Sequence, residues 1–204
     1  MRSISLLSLG LVAGVAAAAC GDDGPDCDCA EVGCFADMCT KTVFISATPV
    51  PSDLGGITGA DSLCAQQAAA AKLPGVFYAW LSDAQTSPFQ RFSKSTVPYT
   101  LPDGTTFADD WDALTRGPSL PLDVDASGHK VAGEPDAIVW TGTGPDGRPD
   151  TFDNAANSCS GWTRNVIEDF AVIGWLSKRN KASDWSRGFN APCTGTGFVY
   201  CFQQ

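Results

Sequence analysis

Residues 55–83 read GGITGADSLCAQQAAAAKLPGVFYAWLSD, and the fold class turns on this stretch. Thr58-Gly59-Ala60-Asp61 has the spacing of a capping box, and the run behind it is rich in strong helix formers. The pattern predicts a helix that carries Leu63, Cys64, Gln67 and Ala71 on one face, so Cys64 points inward. Pro74-Gly75 ends it, because proline cannot continue a helix and glycine readily adopts the turn that follows. Val76–Ser82 is aromatic and apolar almost throughout, the composition of a largely buried strand. A helix running straight into a buried strand puts both kinds of element in the domain.

The flanks agree. Thr42–Thr48 is a β-branched and aromatic run closed by Pro49 and Pro51, and reads as a strand. Asp109–Arg116 reads as a short helix with acids in its first turn and Gly117-Pro118 as its stop. Asp103-Gly104 and Ser127-Gly128 mark tight hairpin turns. Ile138–Thr141 and Phe198–Phe202 read as strands. Between them, residues 142–158 form a long polar loop, and such loops are where binding surfaces concentrate.

Upstream, residues 1–19 have the pattern of a secretory leader: Arg2, then the apolar Leu6–Ala19, ending in small residues. Ala17-Ala18-Ala19-Cys20 resembles a bacterial lipobox, although Ala17 stands where leucine is usual. Acylation of Cys20 would anchor the chain stably, since several acyl chains hold where one is marginal. Gly21, rather than Asp, after the cysteine favours the outer membrane, so the expected location is the cell envelope at its outer surface. Residues 20–40 carry Cys27, Cys29, Cys34 and Cys39 in an acidic, Gly-rich setting too poor in apolar mass for a core. Those four are expected to pair among themselves, 27–34 with 29–39 or 27–39 with 29–34. The C-x-C spacing lacks the C-x2-C knuckles usual for zinc. The segment is read as a spacer, and residues 41–204 as the main domain.

Composition narrows the partners. The chain has 204 residues and a net charge of −10, with no Lys/Arg cluster. Nonspecific attraction to nucleic acid, heparin or anionic headgroups is not expected of it, which leaves the lipid as its sole membrane contact. It has nine cysteines, and with Cys20 acylated the remaining eight are an even number, as disulfides require in an exported chain.

The order of GGITGADSLCAQQAAAAKLPGVFYAWLSD, then WDAL at 111–114, IVWTGTGPDGRPD at 138–150, CSGWT at 159–163 and YCFQQ at 200–204 resembles a known family. The chain is similar to endostatin, the domain released from the C-terminus of certain collagens, and to bacterial endostatin-like lipoproteins. The resemblance covers residues 42–204. It implies an α+β, C-type-lectin-like fold: two helices around small, mainly antiparallel sheets, with disulfides and a long polar loop. It also implies the pairings Cys64–Cys201 and Cys159–Cys193. The zinc-binding histidine cluster and the basic heparin surface of the collagen-derived members have no counterpart here.

Catalytic machinery is sparse, and no catalytic residue is assigned. His129, the one histidine, falls in a predicted turn, a poor place to hold a general base. Asp123, Asp125, Ser127, Gly128 and Glu134 match some positions of a calcium loop. Lys130 breaks that match, and Pro118, Pro121 and Pro135 interrupt the helices such a loop needs, so a hairpin explains the residues better. Asp146, Asp150, Asp153, Asn154 and Asn157 offer a second set of oxygens, opposed by the charge of Arg148. No cofactor is expected, with calcium at Asp146, Asp150 and Asp153 the alternative. Trp80, Trp111, Trp140 and Trp162 read as core, whereas Trp175 and Trp185 lie in a polar stretch and are the candidates for an exposed ligand surface. The expected function is noncatalytic binding of an extracellular protein or matrix ligand at the cell surface. The alternatives are a calcium-assisted glycan binder and a structural envelope protein.

Overall fold

The computed structural model describes residues 40–132, 137–152, 155–156, 158–176 and 182–204. The expected leader, Cys20, and the cysteines at 27, 29, 34 and 39 lie outside these residues, as do Glu134, Asp153, Asn154 and Asn157. In chain order the elements are β1 (Lys41–Ile45), β2 (Val50–Pro51), α1 (Gly56–Ala70), β3 (Phe77–Ala79), α2 (Pro88–Arg91), β4 (Tyr99–Thr100), β5 (Thr106–Ala108) and α3 (Trp111–Arg116). Then come β6 (Ile138–Trp140), β7 (Thr151–Phe152), β8 (Ala155–Ala156), β9 (Phe170–Trp175), β10 (Phe189–Pro192), β11 (Thr196–Gly197) and β12 (Tyr200–Gln203).

The central sheet has the order β3-β12-β1-β4-β5. Its pairings are antiparallel except β1 with β4, which run parallel. A second sheet, β10-β9-β6, and two short ribbons, β11-β2 and β7-β8, complete the strands. The result is a mixed α+β domain with few helices, several small sheets and two disulfides.

Alternation along the central strands sorts the core into two halves, because successive side chains leave a strand on opposite faces. On β1, Val43 and Ile45 enter an aromatic cluster with Trp80, Phe107, Trp185 and Phe202, while Phe44 turns the other way. On β12, Tyr200 and Phe202 join the first half and Cys201 the second. That second half holds the inner face of α1, through Ala60, Cys64 and Ala68, together with Trp140 and Trp162. Both faces of the central sheet are therefore covered.

The structure refines the start of α1. The helix begins at Gly56, two residues before Thr58, because Gly55 takes a left-handed φ of 76° that turns the chain into it. Thr58 is thus inside the first turn and does not cap; its carbonyl accepts from the Ser62 hydroxyl at 2.9 Å. Asp61 faces inward, accepting from the Ala79 amide at 2.8 Å and from Arg91 at 2.7 Å, so it ties α1 to β3 and α2. By contrast, α3 is capped as its sequence suggests: the Asp110 carboxylate accepts from the Ala113 amide at 2.6 Å.

β9 and β10 lie on either side of the polar stretch between Trp175 and Trp185, and the turn that carries Trp185 comes very close to the β9 backbone. A Cβ on Gly174 would stand 1.9 Å from the Trp185 carbonyl oxygen. Gly174→Ala is therefore expected to force the 182–186 turn off β9, at a cost of about 1–3 kcal/mol. Urea unfolding should show a lower midpoint at unchanged slope; an unchanged midpoint would mean that the turn moves freely.

Candidate functional site

The polar loop folds back on itself. Gly144 donates to the Arg148 carbonyl at 2.8 Å, Gly147 to Gly144 at 3.0 Å, and Asp150 to Gly142 at 3.0 Å. Beneath it lies a buried cluster of hydroxyls. Ser82 and Thr143 share a hydrogen bond of 2.8 Å, Thr143 donates to the Thr141 carbonyl at 2.6 Å, and Thr141 donates to the Ser186 carbonyl at 2.6 Å. The Ser186 hydroxyl donates to the Thr143 carbonyl at 2.8 Å and accepts from the Trp80 indole at 2.7 Å. Each hydroxyl is partnered, as burial demands, so this cluster fixes the loop to the core.

On the outside, the Arg148 guanidinium lies 3.5 Å over the Phe89 ring, and the Lys94 ammonium approaches the same ring at 4.3 Å. Asp146 is paired with Arg148 at 3.4 Å, and Asp150, whose side chain is only 8% exposed, is paired with Arg187. Burial pushes the Asp150 carboxyl above the usual carboxylate range; the Arg187 charge opposes this, and the Asp146 charge adds to it. Two of the three proposed calcium ligands thus already have a guanidinium partner, and the third, Asp153, lies outside the described residues. Among the described residues no three His, Cys, Asp or Glu side chains gather as a metal site.

A raised carboxyl pKa has a definite sign. Its contribution to stability is fully present below the unfolded-state value and is lost as pH rises through the folded one. Asp150→Asn is therefore expected to leave stability at neutral pH equal or higher, and to remove part of the gain seen on acidification. Thermal midpoints from pH 3 to pH 7 check this; a variant less stable only at neutral pH would show that the Arg187 pair outweighs burial.

The 123–130 segment is a hairpin, with Val124 bridged to Lys130. The Asp125 carboxylate accepts from the Ser127 and His129 amides at 2.8 and 3.0 Å, so it is occupied by its own turn. His129 is 81% exposed at the tip. Cys64 and Cys201 are bonded, as are Cys159 and Cys193, with Cα separations of 5.4 and 5.6 Å. Next to the second bridge, Cys159, Ser160, Gly161 and Trp162 form one left-handed turn, with φ of 50°, 53°, 72° and 64°. It is held by the bridge, by the Trp162 indole donating to Ser82 at 2.9 Å, and by Leu54 donating to the Trp162 carbonyl at 2.9 Å.

Trp185 needs correction as a ligand-surface residue. It is 1% exposed and lies 4.9 Å from Trp80 and 5.7 Å from Tyr200. The turn that carries it folds inward and drives the ring into the aromatic cluster, while the polar neighbours Asp184 and Arg187 stay nearer the surface. Trp175 is half-buried at the end of β9. Among the described residues no helix is long and apolar enough to cross a membrane.

The sequence reading missed a groove between the β4–β5 hairpin and the 120–130 segment. It has a volume of about 160 Å³, and Leu101, Leu120 and Pro121 line it together with Asp103, Asp123 and Lys130. No motif marks it, because its walls come from two separate hairpins. A neighbouring recess of about 230 Å³ is bordered by Asp109, Ala113 and Arg116.

No family model matches the chain. It is 34% identical over 113 residues to the human collagen alpha-1(XVIII) chain, an alignment that spans 50% of this chain and 6% of the collagen. The shared part is thus a small fraction of that relative's length.

Proposed function

We propose that this chain is a noncatalytic binding module, held at the cell envelope by a lipidated Cys20, whose endostatin-like, C-type-lectin-like domain engages an extracellular protein or matrix ligand. The observation that carries the reading is the partial identity to a collagen chain, which falls on a chain whose first helix and last described strand are joined by Cys64–Cys201. Such a scaffold keeps its loops in place while exposing them, which suits recognition. The lipobox-like Ala17-Ala18-Ala19-Cys20 supports the anchoring.

The test is capture of extracellular-matrix proteins and glycans on an array by the full chain, oxidised and reduced, with and without calcium. Saturable capture of a protein by the oxidised chain, lost on reduction and indifferent to calcium, is the expected result. Capture of glycans only when calcium is present would replace this reading with the lectin one. Capture of nothing would leave a structural envelope protein.

A further inference from the structure

We propose that the groove between the β4–β5 hairpin and the 120–130 segment takes a lysine or arginine side chain from a protein partner. The inference rests on the binding-module reading and names the chemistry of what is bound. The groove is apolar inside, with Leu101, Leu120 and Pro121 along its walls, and Leu120 is 37% exposed although it is a large aliphatic residue. Asp103 and Asp123 line it too, Asp103 exposed and the Asp123 side chain 23% exposed, so both stand where the groove meets solvent, at its mouth. Apolar walls under an anionic mouth complement an unbranched aliphatic stem that ends in a cation. A neutral apolar ligand would leave the net negative charge of the mouth unmet, and an anionic one would be repelled.

The molecule already illustrates the fit. Lys130, from the 123–130 hairpin, sets its ammonium 3.1 Å from an Asp123 oxygen while its side chain stays 77% exposed. The positive charge of Lys130 also helps to keep the Asp103 carboxyl below its ordinary range, after the larger effect of the hydrogen bond from the Thr105 amide at 2.9 Å. One lysine of the groove's own lining therefore serves two carboxylates, and the rim keeps a net negative charge. An incoming cation whose stem fills the groove competes with Lys130 for the Asp123 carboxylate and adds apolar contacts along Leu101, Leu120 and Pro121.

The experiment uses the full oxidised chain, isotopically labelled, titrated with n-butylammonium and, in a separate arm, with 1-butanol at equal ionic strength. Saturable amide shifts confined to 101–105, 120–124 and 130 are expected with the amine, and at least tenfold weaker binding with the alcohol. Lys130→Ala should strengthen amine binding about threefold or more, since it removes the internal competitor, and Asp103→Asn with Asp123→Asn should weaken it at least tenfold. Shifts spread over the whole surface, equal binding of the alcohol, or weaker binding by the Lys130 variant would each overturn the proposal. On the matrix array, the double-Asn variant should lose its captured protein. Undiminished capture would sink the groove and leave the binding module standing, whereas an array that captures nothing with the parent chain, alongside localised amine shifts, would sink the binding module and leave the groove.

Discussion

Replacing Cys64 and Cys201 together by alanine is expected to lower the unfolding free energy by about 4–5 kcal/mol. The bridge closes a loop of 137 residues, and in the chain-entropy model the stabilisation grows with the logarithm of loop length. The Cys159–Cys193 bridge spans only 34 residues, and the same model gives it about 4 kcal/mol, so the longer loop loses more when opened. Both sulfurs of the longer bridge are wholly buried between α1 and β12, and their loss also leaves a small void in the second half of the core. Domains are commonly stable by only about 5–15 kcal/mol, so this variant should populate the unfolded state near body temperature. Urea unfolding is the measurement: the midpoint should fall and the slope should rise, because the uncrosslinked chain exposes more surface. A loss below about 1 kcal/mol would show that the β12 pairings alone hold that end of the sheet.

Trp80→Ala should cost about 3–5 kcal/mol. Trp80 is fully buried, and its ring lies 4.9 Å from Trp185, 5.3 Å from Phe202, 5.7 Å from Phe92 and 5.8 Å from Trp111. Truncation removes the centre of the aromatic cluster and leaves a cavity its neighbours cannot close without leaving their own packing. The polar loss is smaller. Ser186 keeps its bond to the Thr143 carbonyl at 2.8 Å, and only its acceptor side goes unmet when the indole disappears. Trp80→Phe, which retains most of the ring, is thus expected to lose less than half as much. Thermal unfolding should show the Ala variant about 6–20 °C below the parent. A drop no greater than that of Trp175→Ala, at a half-buried site, would mean that the cluster repacks.

The parts of the fold that were legible are those where a local period and its punctuation agree. β1, β3 and β12 each show a dense β-branched or aromatic run, and α3 begins at a capping aspartate and ends at Gly-Pro. The hairpin at 123–130 follows from its Ser-Gly turn. β9 and β10 were harder. Phe170–Trp175 has the composition of a strand, but its partner Phe189–Pro192 carries Asn and Pro and gains its place only through pairing across a polar stretch. The start of α1 was misplaced because a glycine's left-handed φ leaves no mark beyond the glycine itself. Trp185 was misjudged because a single inward-facing aromatic between polar residues has no period to reveal it. The groove was invisible for the same reason: Leu101 and Leu120 are unremarkable until two hairpins stand side by side.

The position of β12 bears on the timing of synthesis. Phe44 on β1 pairs with Cys201, so the antiparallel partner of a strand that begins at Lys41 is supplied only once the chain has been made through Gln203. At roughly 5–20 residues per second, the nascent polypeptide carries Val43, Phe44 and Ile45 without that neighbour for about 8–30 s. During this interval the oily segment is a target for holding factors, and completion of the sheet waits on the arrival of distant residues, as in other slow topologies rich in non-local contacts.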